Sequence, residues 1–217
     1  MKNNIELTNE FIYSELEGLC SAHDIYHINR VYMVSKKIFL EDEIWDEEVI
    51  LISSLLHEMM DDKFFKWVID IQKIKVEKFL DTLTLTLEQK EKIIYIIEHI
   101  WFWKSLGLDI CDKFIEFQIV EDADRLEAIW AIAIARTFAY WWKKKRPIYD
   151  PNIEVKLNMT QEEYINYEWT SLNHFYEKLL KLKDLMNTKL WKKMADERHK
   201  FMETFLEQFL LEWEWII

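Results

Sequence analysis

Residues 87–103 read LEQKEKIIYIIEHIWFW. Apolar side chains at Ile93, Ile94, Ile96, Ile97, Ile100 and Trp101 recur with helical spacing, while Glu88, Lys90, Glu91 and Lys92 cover the start. That period is the signature of an amphipathic α-helix. Working outward, residues 28–40 repeat it with Ile28, Val31, Val34, Ile38 and Phe39, and Asp46 is placed to cap a helix running toward His57. On the other side the pattern predicts one long apolar helix from about residue 119 to residue 140 and a loop around Pro147 and Pro151. Two long C-terminal helices then follow, over roughly 161–185 and 188–213. No strand alternation competes, so the expected fold class is all-α, a helical bundle with additional C-terminal helices.

Composition bounds the function. The chain has 217 residues, half of them apolar and 31% charged, which suits a soluble globular protein with a sizeable core. No Pro/Gly/Ser-rich linker divides it, so a single unit over 1–217 is expected. The polar start MKNNIELTNE has no leader character, no apolar run approaches the roughly 20 residues of a membrane span, and Cys20 and Cys111 are too few for a disulfide framework. A cytoplasmic protein without a membrane partner is the expectation. A formal net charge of −12 repels polyphosphate backbones, which argues against polymeric nucleic acid and leaves a small phosphorylated ligand open. A homodimer is compatible with all of this.

Chemistry concentrates at His57-Glu58, with His27 upstream and Asp124 downstream. Two imidazoles and two carboxylates suit a hard or borderline divalent cation that keeps positions for water and substrate oxygens. Each lies where a helix is expected, in AHDIYHINRV, SLLHEMMDDKF and IVEDADRLEAI. Adjacent residues leave a helix about 100° apart, so one ion between those directions reaches both His57 and Glu58. Asp122 and Asp124 point to different sides, so only one of them belongs against the ion.

In order and separation, HDIYHINRV, LLHEMMDDKF, QIVEDADRLEAI, ARTFAY, RPIYDP and NHFYEKLLKLKDLMNT resemble the HD-domain metal-dependent phosphohydrolases. The likeness is to a bacterial YedJ-like branch in particular and covers roughly residues 20–215. The resemblance implies an HD core over about 20–145 followed by C-terminal helices over about 160–215. It also implies metal binding by His27, His57, residue 58 and Asp124. Residue 58 is Asp in the motif that names the family, and here it is Glu, with one more methylene. Mn²⁺ is the expected ion, with Mg²⁺, Co²⁺, Ni²⁺ or Fe²⁺ as alternatives.

The family also places an acidic residue and a lysine just after the ligand pair, where this chain has Asp61 and Lys63. Asp61 then serves proton transfer and Lys63 neutralises phosphoryl charge, although Asp-Asp-Lys is also how a solvated helix end looks. Arg30, one turn after His27, is the first substrate-contact candidate. Arg136 and Lys143 belong to the one basic concentration in the chain and can reach for a phosphate tail, or simply complement a helix C-terminus. The expected activity is hydrolysis of a phosphoester or phosphoanhydride by metal-activated water. The resembling branch points to a nucleoside triphosphate pyrophosphohydrolase. A guanosine tetraphosphate-type hydrolase and a nonenzymatic nucleotide-binding protein with a degenerate site are the rivals.

Glycine and tryptophan are out of proportion. Only Gly18 and Gly107 occur, where average usage of about 7% would give about fifteen, while tryptophan occurs eleven times. In the resembling family glycine is usual at or near positions 130, 141 and 142. Swapping Trp130, Trp141 and Trp142 for glycine in AIWAIAIARTFAYWWKKKRP restores the family's text. Two readings stand: UGA codons read as glycine in the source cell, or genuine core aromatics.

Overall fold

The computed structural model describes residues 2–16, 25–39, 45–60, 69–102, 113–160, 162–163, 167 and 169–216. Among them the elements are α-helices and two 3₁₀ segments, with no strand: α1 (Asn4–Leu16), α2 (Ile25–Phe39), α3 (Glu47–Leu56), a 3₁₀ turn (His57–Met60), α4 (Ile69–Leu80) and α5 (Leu87–His99). They continue with α6 (Ile115–Glu127), α7 (Ala131–Lys143), α8 (Asn173–Glu177), a 3₁₀ segment (Leu179–Leu185) and α9 (Lys189–Trp213). The all-α expectation holds. The chain forms two compact units, Met1–Ala123 and Asp124–Ile217, and the division falls inside α6, a single continuous helix.

In the first unit α3 is central and packs on α1, α2 and α5. Its sequence explains this, because every residue from Val49 to Leu56 is buried, and a helix apolar all round is stable only when surrounded. Each such Val, Leu or Ile contributes about 1.5–3 kcal/mol on burial. Asp46 caps α3 as expected, its side chain accepting from the Val49 N–H at 3.2 Å. The same carboxylate accepts from Gln89 Nε2 at 3.0 Å, so the cap of α3 is tied to α5. Gln89 also closes a capping box with Thr86 at the start of α5, a Thr-x-x-Gln signal present in the sequence.

Two expected boundaries are corrected. The long helix over 119–140 is two helices, broken at 128–130, where Trp130 adopts φ 126° and ψ −173°, a backbone no helix contains. The expected helix over 161–185 is also replaced. Over 173–185 it is the five-residue α8 and a following 3₁₀ segment, separated at Lys178 with φ −132°. The C-terminal helix over 188–213 is present as α9. In the second unit α9 packs on α7 and the 3₁₀ segment. It buries Trp191, Ala195, Met202 and Leu206, a stripe at helical spacing. Phe138, Phe175 and Phe205 meet with centroids 5.8–6.0 Å apart.

Glu177 is a buried acid in this unit. Its Oε1 accepts from the Lys156 N–H at 3.0 Å, while Oε2 has no hydrogen-bond partner. Burial pushes its pKa above the ordinary carboxylate value. A raised pKa means that the folded state takes up the proton more readily than the unfolded chain. The stability from this group is fully present below the unfolded value of about 4.3 and is lost as pH rises through the folded one. Glu177→Gln keeps an acceptor for Lys156 and is expected to remove this fall and raise stability at neutral pH. Denaturant midpoints measured across pH for both proteins check it, and parallel profiles would reject it.

Candidate metal centre

His57 ends α3 and opens the 3₁₀ turn, and it is fully buried. Its Nδ1 lies 2.7 Å from the Ser54 carbonyl oxygen. A carbonyl only accepts, so the ring proton sits on Nδ1 and the Nε2 lone pair is directed away. That lone pair faces Nε2 of His27 on α2 at 3.4 Å. Glu58, 3% exposed, places Oε1 3.2 Å from His27 Nε2 and 3.6 Å from His57 Nε2. Donors held 2.0–2.2 Å from one ion at angles of 90–110° stand roughly 3–3.5 Å apart, so these three atoms fit a shared cation. The extra methylene of Glu58 does not carry its oxygen past the two imidazoles.

Asp124 follows on α6, a helix whose first nine residues, 115–123, lie in the first unit. His27, His57 and Asp124 each offer a ligand atom, all within 4.8 Å of one another. The donor set is two imidazole nitrogens with carboxylate oxygens, the chemistry of a borderline or hard divalent ion. The Ser54 carbonyl orients His57, the usual task of a group behind a metal-ligating histidine. A backbone acceptor leaves no trace in residue type, and only its position three residues before a histidine at a helix end could have suggested it.

The other candidates distribute as follows. Asp61 and Lys63 lie outside the described residues. Arg30 is half-buried on α2, one turn after His27. Arg136 is half-buried on α7 and its Nη1 donates to the Glu127 carbonyl at 3.5 Å, while Lys143 is exposed at the end of the same helix. Asp122 is fully buried. Arg125 and Glu127, charged residues that a helix usually turns to solvent, are buried: Arg125 donates to the Leu185 carbonyl, and Glu127 pairs with Arg198 at 3.7 Å. Burial lowers the Arg198 pKa from its ordinary value. Of the remaining histidines, His99 stacks on Tyr95 at 4.3 Å and His174 is packed between Trp141 and Trp169.

Among the described residues, helices bring two imidazoles and a carboxylate together, the donor set of a divalent-metal centre. No protein-family model matches the chain. The uncharacterized protein YpgQ of Bacillus subtilis is 31% identical over 206 residues, covering 94% of this chain and 90% of its own. An HD-superfamily hydrolase from Bacillus thuringiensis is 39% identical, with a TM-score of 0.72 over 97% of this chain and 96% of that one. A Lactobacillus plantarum protein reaches a TM-score of 0.87 at 32% identity, over 97% and 96% of the two chains. YpgQ has been solved in complex with ADP, and that structure has a TM-score of 0.72 at 29% identity, over 94% and 95%. The chain belongs to the HD superfamily of hydrolases, whose membership implies a divalent metal ion. Among the described residues no helix is long and apolar enough to cross a membrane.

Proposed function

We propose that the protein is a nucleotide phosphohydrolase of the YedJ-like branch, releasing pyrophosphate from nucleoside triphosphates, with His27, His57, Glu58 and Asp124 holding one divalent ion, Mn²⁺ first among candidates. The observation that carries this is the convergence of the His27 and His57 Nε2 atoms with Glu58 Oε1 at 3.2–3.6 Å. A relative bound to ADP supports a nucleotide as ligand. When bound, the ion supplies Lewis-acid polarisation of phosphoryl oxygens and lowers the pKa of water.

The chain's own residues do the rest. Ser54 fixes the tautomer of His57, so its Nε2 presents a lone pair. Asp61 takes the proton from the attacking water. Lys63 and Arg30 neutralise charge that builds on the phosphoryl oxygens as the bridging P–O bond breaks. Arg136 and Lys143 are candidates for the polyphosphate tail on their charge alone.

Purified protein given a panel of nucleoside triphosphates is expected to release pyrophosphate with Mn²⁺ and to stop when a chelator is added. Folded, metal-loaded protein that turns over no nucleotide would sink the assignment and favour a nucleotide-binding role.

A further inference from the structure

Three non-glycine residues have positive φ among the described residues: Trp130 at 126°, Lys145 at 57° and Trp215 at 57°. Tryptophan makes up 11 of 217 residues, yet it holds two of these three places. At Trp130 the pair φ 126°, ψ −173° falls in a region that is essentially glycine-only, because any Cβ there collides with the flanking peptide. Trp215 stands just past the end of α9. Its N–H donates to the Glu212 carbonyl at 3.2 Å and the Ile216 N–H donates to the Leu211 carbonyl at 3.0 Å. With Glu214 as the cap, those two bonds are the Schellman ending, whose left-handed position is most often glycine.

Side-chain packing does not explain the choice. Trp215 is 91% exposed, so its ring gains nothing that favours a bulky side chain at a left-handed position. Trp130 lies partly open, stacked on Phe201 at 5.4 Å with Arg198 5.6 Å above it. Lys145 completes the same ending on α7, through Lys145 N–H to Trp142 O and Arg146 N–H to Trp141 O. There an unbranched side chain occupies an ordinary left-handed φ, a milder case than Trp130. The chain meanwhile has two glycines where about fifteen are usual. A coding bias that depletes glycine gives no reason for tryptophan to rise.

We propose that the natural polypeptide carries glycine at positions 130 and 215, both encoded by UGA and read as glycine in the source cell. The turn between α6 and α7 and the close of α9 are then unstrained glycine turns. Arg198 keeps its bonds to the Leu126 and Ile129 carbonyls and its pairing with Glu127 without an indole against it.

Peptide mass spectrometry of protein purified from the source cells decides the residues, and the gene's codons give the cause. Glycine masses at both positions with UGA codons are expected. Tryptophan at either position, or a UGG codon there, overturns the proposal. A second measurement separates backbone from ring in recombinant protein. Trp130→Gly is expected to raise the thermal midpoint by about 2–4 °C, whereas Trp130→Ala, which also removes the ring but keeps a Cβ, stays below it. A glycine variant no more stable than the alanine variant also overturns it.

Discussion

His57→Ala is expected to lose divalent-cation binding and nucleotide turnover together, each by more than about 100-fold. Even groups standing behind a ligand cost 10–100-fold when removed, and His57 contributes one of the two nitrogens that face each other at 3.4 Å. The residue is fully buried, so the variant also leaves a small cavity and frees the Ser54 carbonyl. Calorimetric titration with Mn²⁺, beside a circular-dichroism melt showing that the variant still folds, separates lost binding from lost structure. Unchanged Mn²⁺ affinity in folded His57→Ala would place the metal elsewhere.

The second large effect belongs to Glu58. Glu58→Gln keeps the shape and removes the charge, and a loss of metal affinity of about 10–100-fold or more is expected. Glu58→Asp restores the residue usual in the family but retracts the oxygen by about a bond length, while metal–oxygen distances tolerate only about 0.2 Å. With Oε1 now 3.2 Å and 3.6 Å from the two imidazoles, the shorter side chain is expected to bind more weakly than wild type. Titration of both variants with Mn²⁺ gives the order wild type, Asp, Gln. Tighter binding by the aspartate variant would mean that the 3₁₀ turn, rather than the longer side chain, sets the reach.

Most helices were legible from their periods. Burial of Ile28, Val31 and Val34 follows the apolar spacing of residues 28–40, and Asp46 caps α3 because its side chain suits that geometry. What the period could not reveal is a break in which apolar spacing continues. Ile129, Ala133 and Ile134 are buried across the interruption at 130, so the stripe looks unbroken while the backbone turns. The stretch 173–185 has helical spacing too, but side-chain order alone does not separate α from 3₁₀ winding. At the centre, residue types pointed to His27, His57, Glu58 and Asp124 as candidate ligands, and the structure brings ligand atoms of His27, His57 and Asp124 within 4.8 Å of one another. The orienting carbonyl of Ser54 stayed invisible because it is backbone.

Ser54 has one more bond. Its hydroxyl donates to the Ile50 carbonyl at 2.8 Å and lies 2.8 Å from the Ser35 hydroxyl, which joins α3 to α2 two turns along from His27. The segments bearing the two imidazoles are therefore fastened to each other inside the core, and their spacing is set when the chain folds. In entropic terms an ion held as proposed would meet a site already ordered, so little of its binding free energy would be diverted into arranging it.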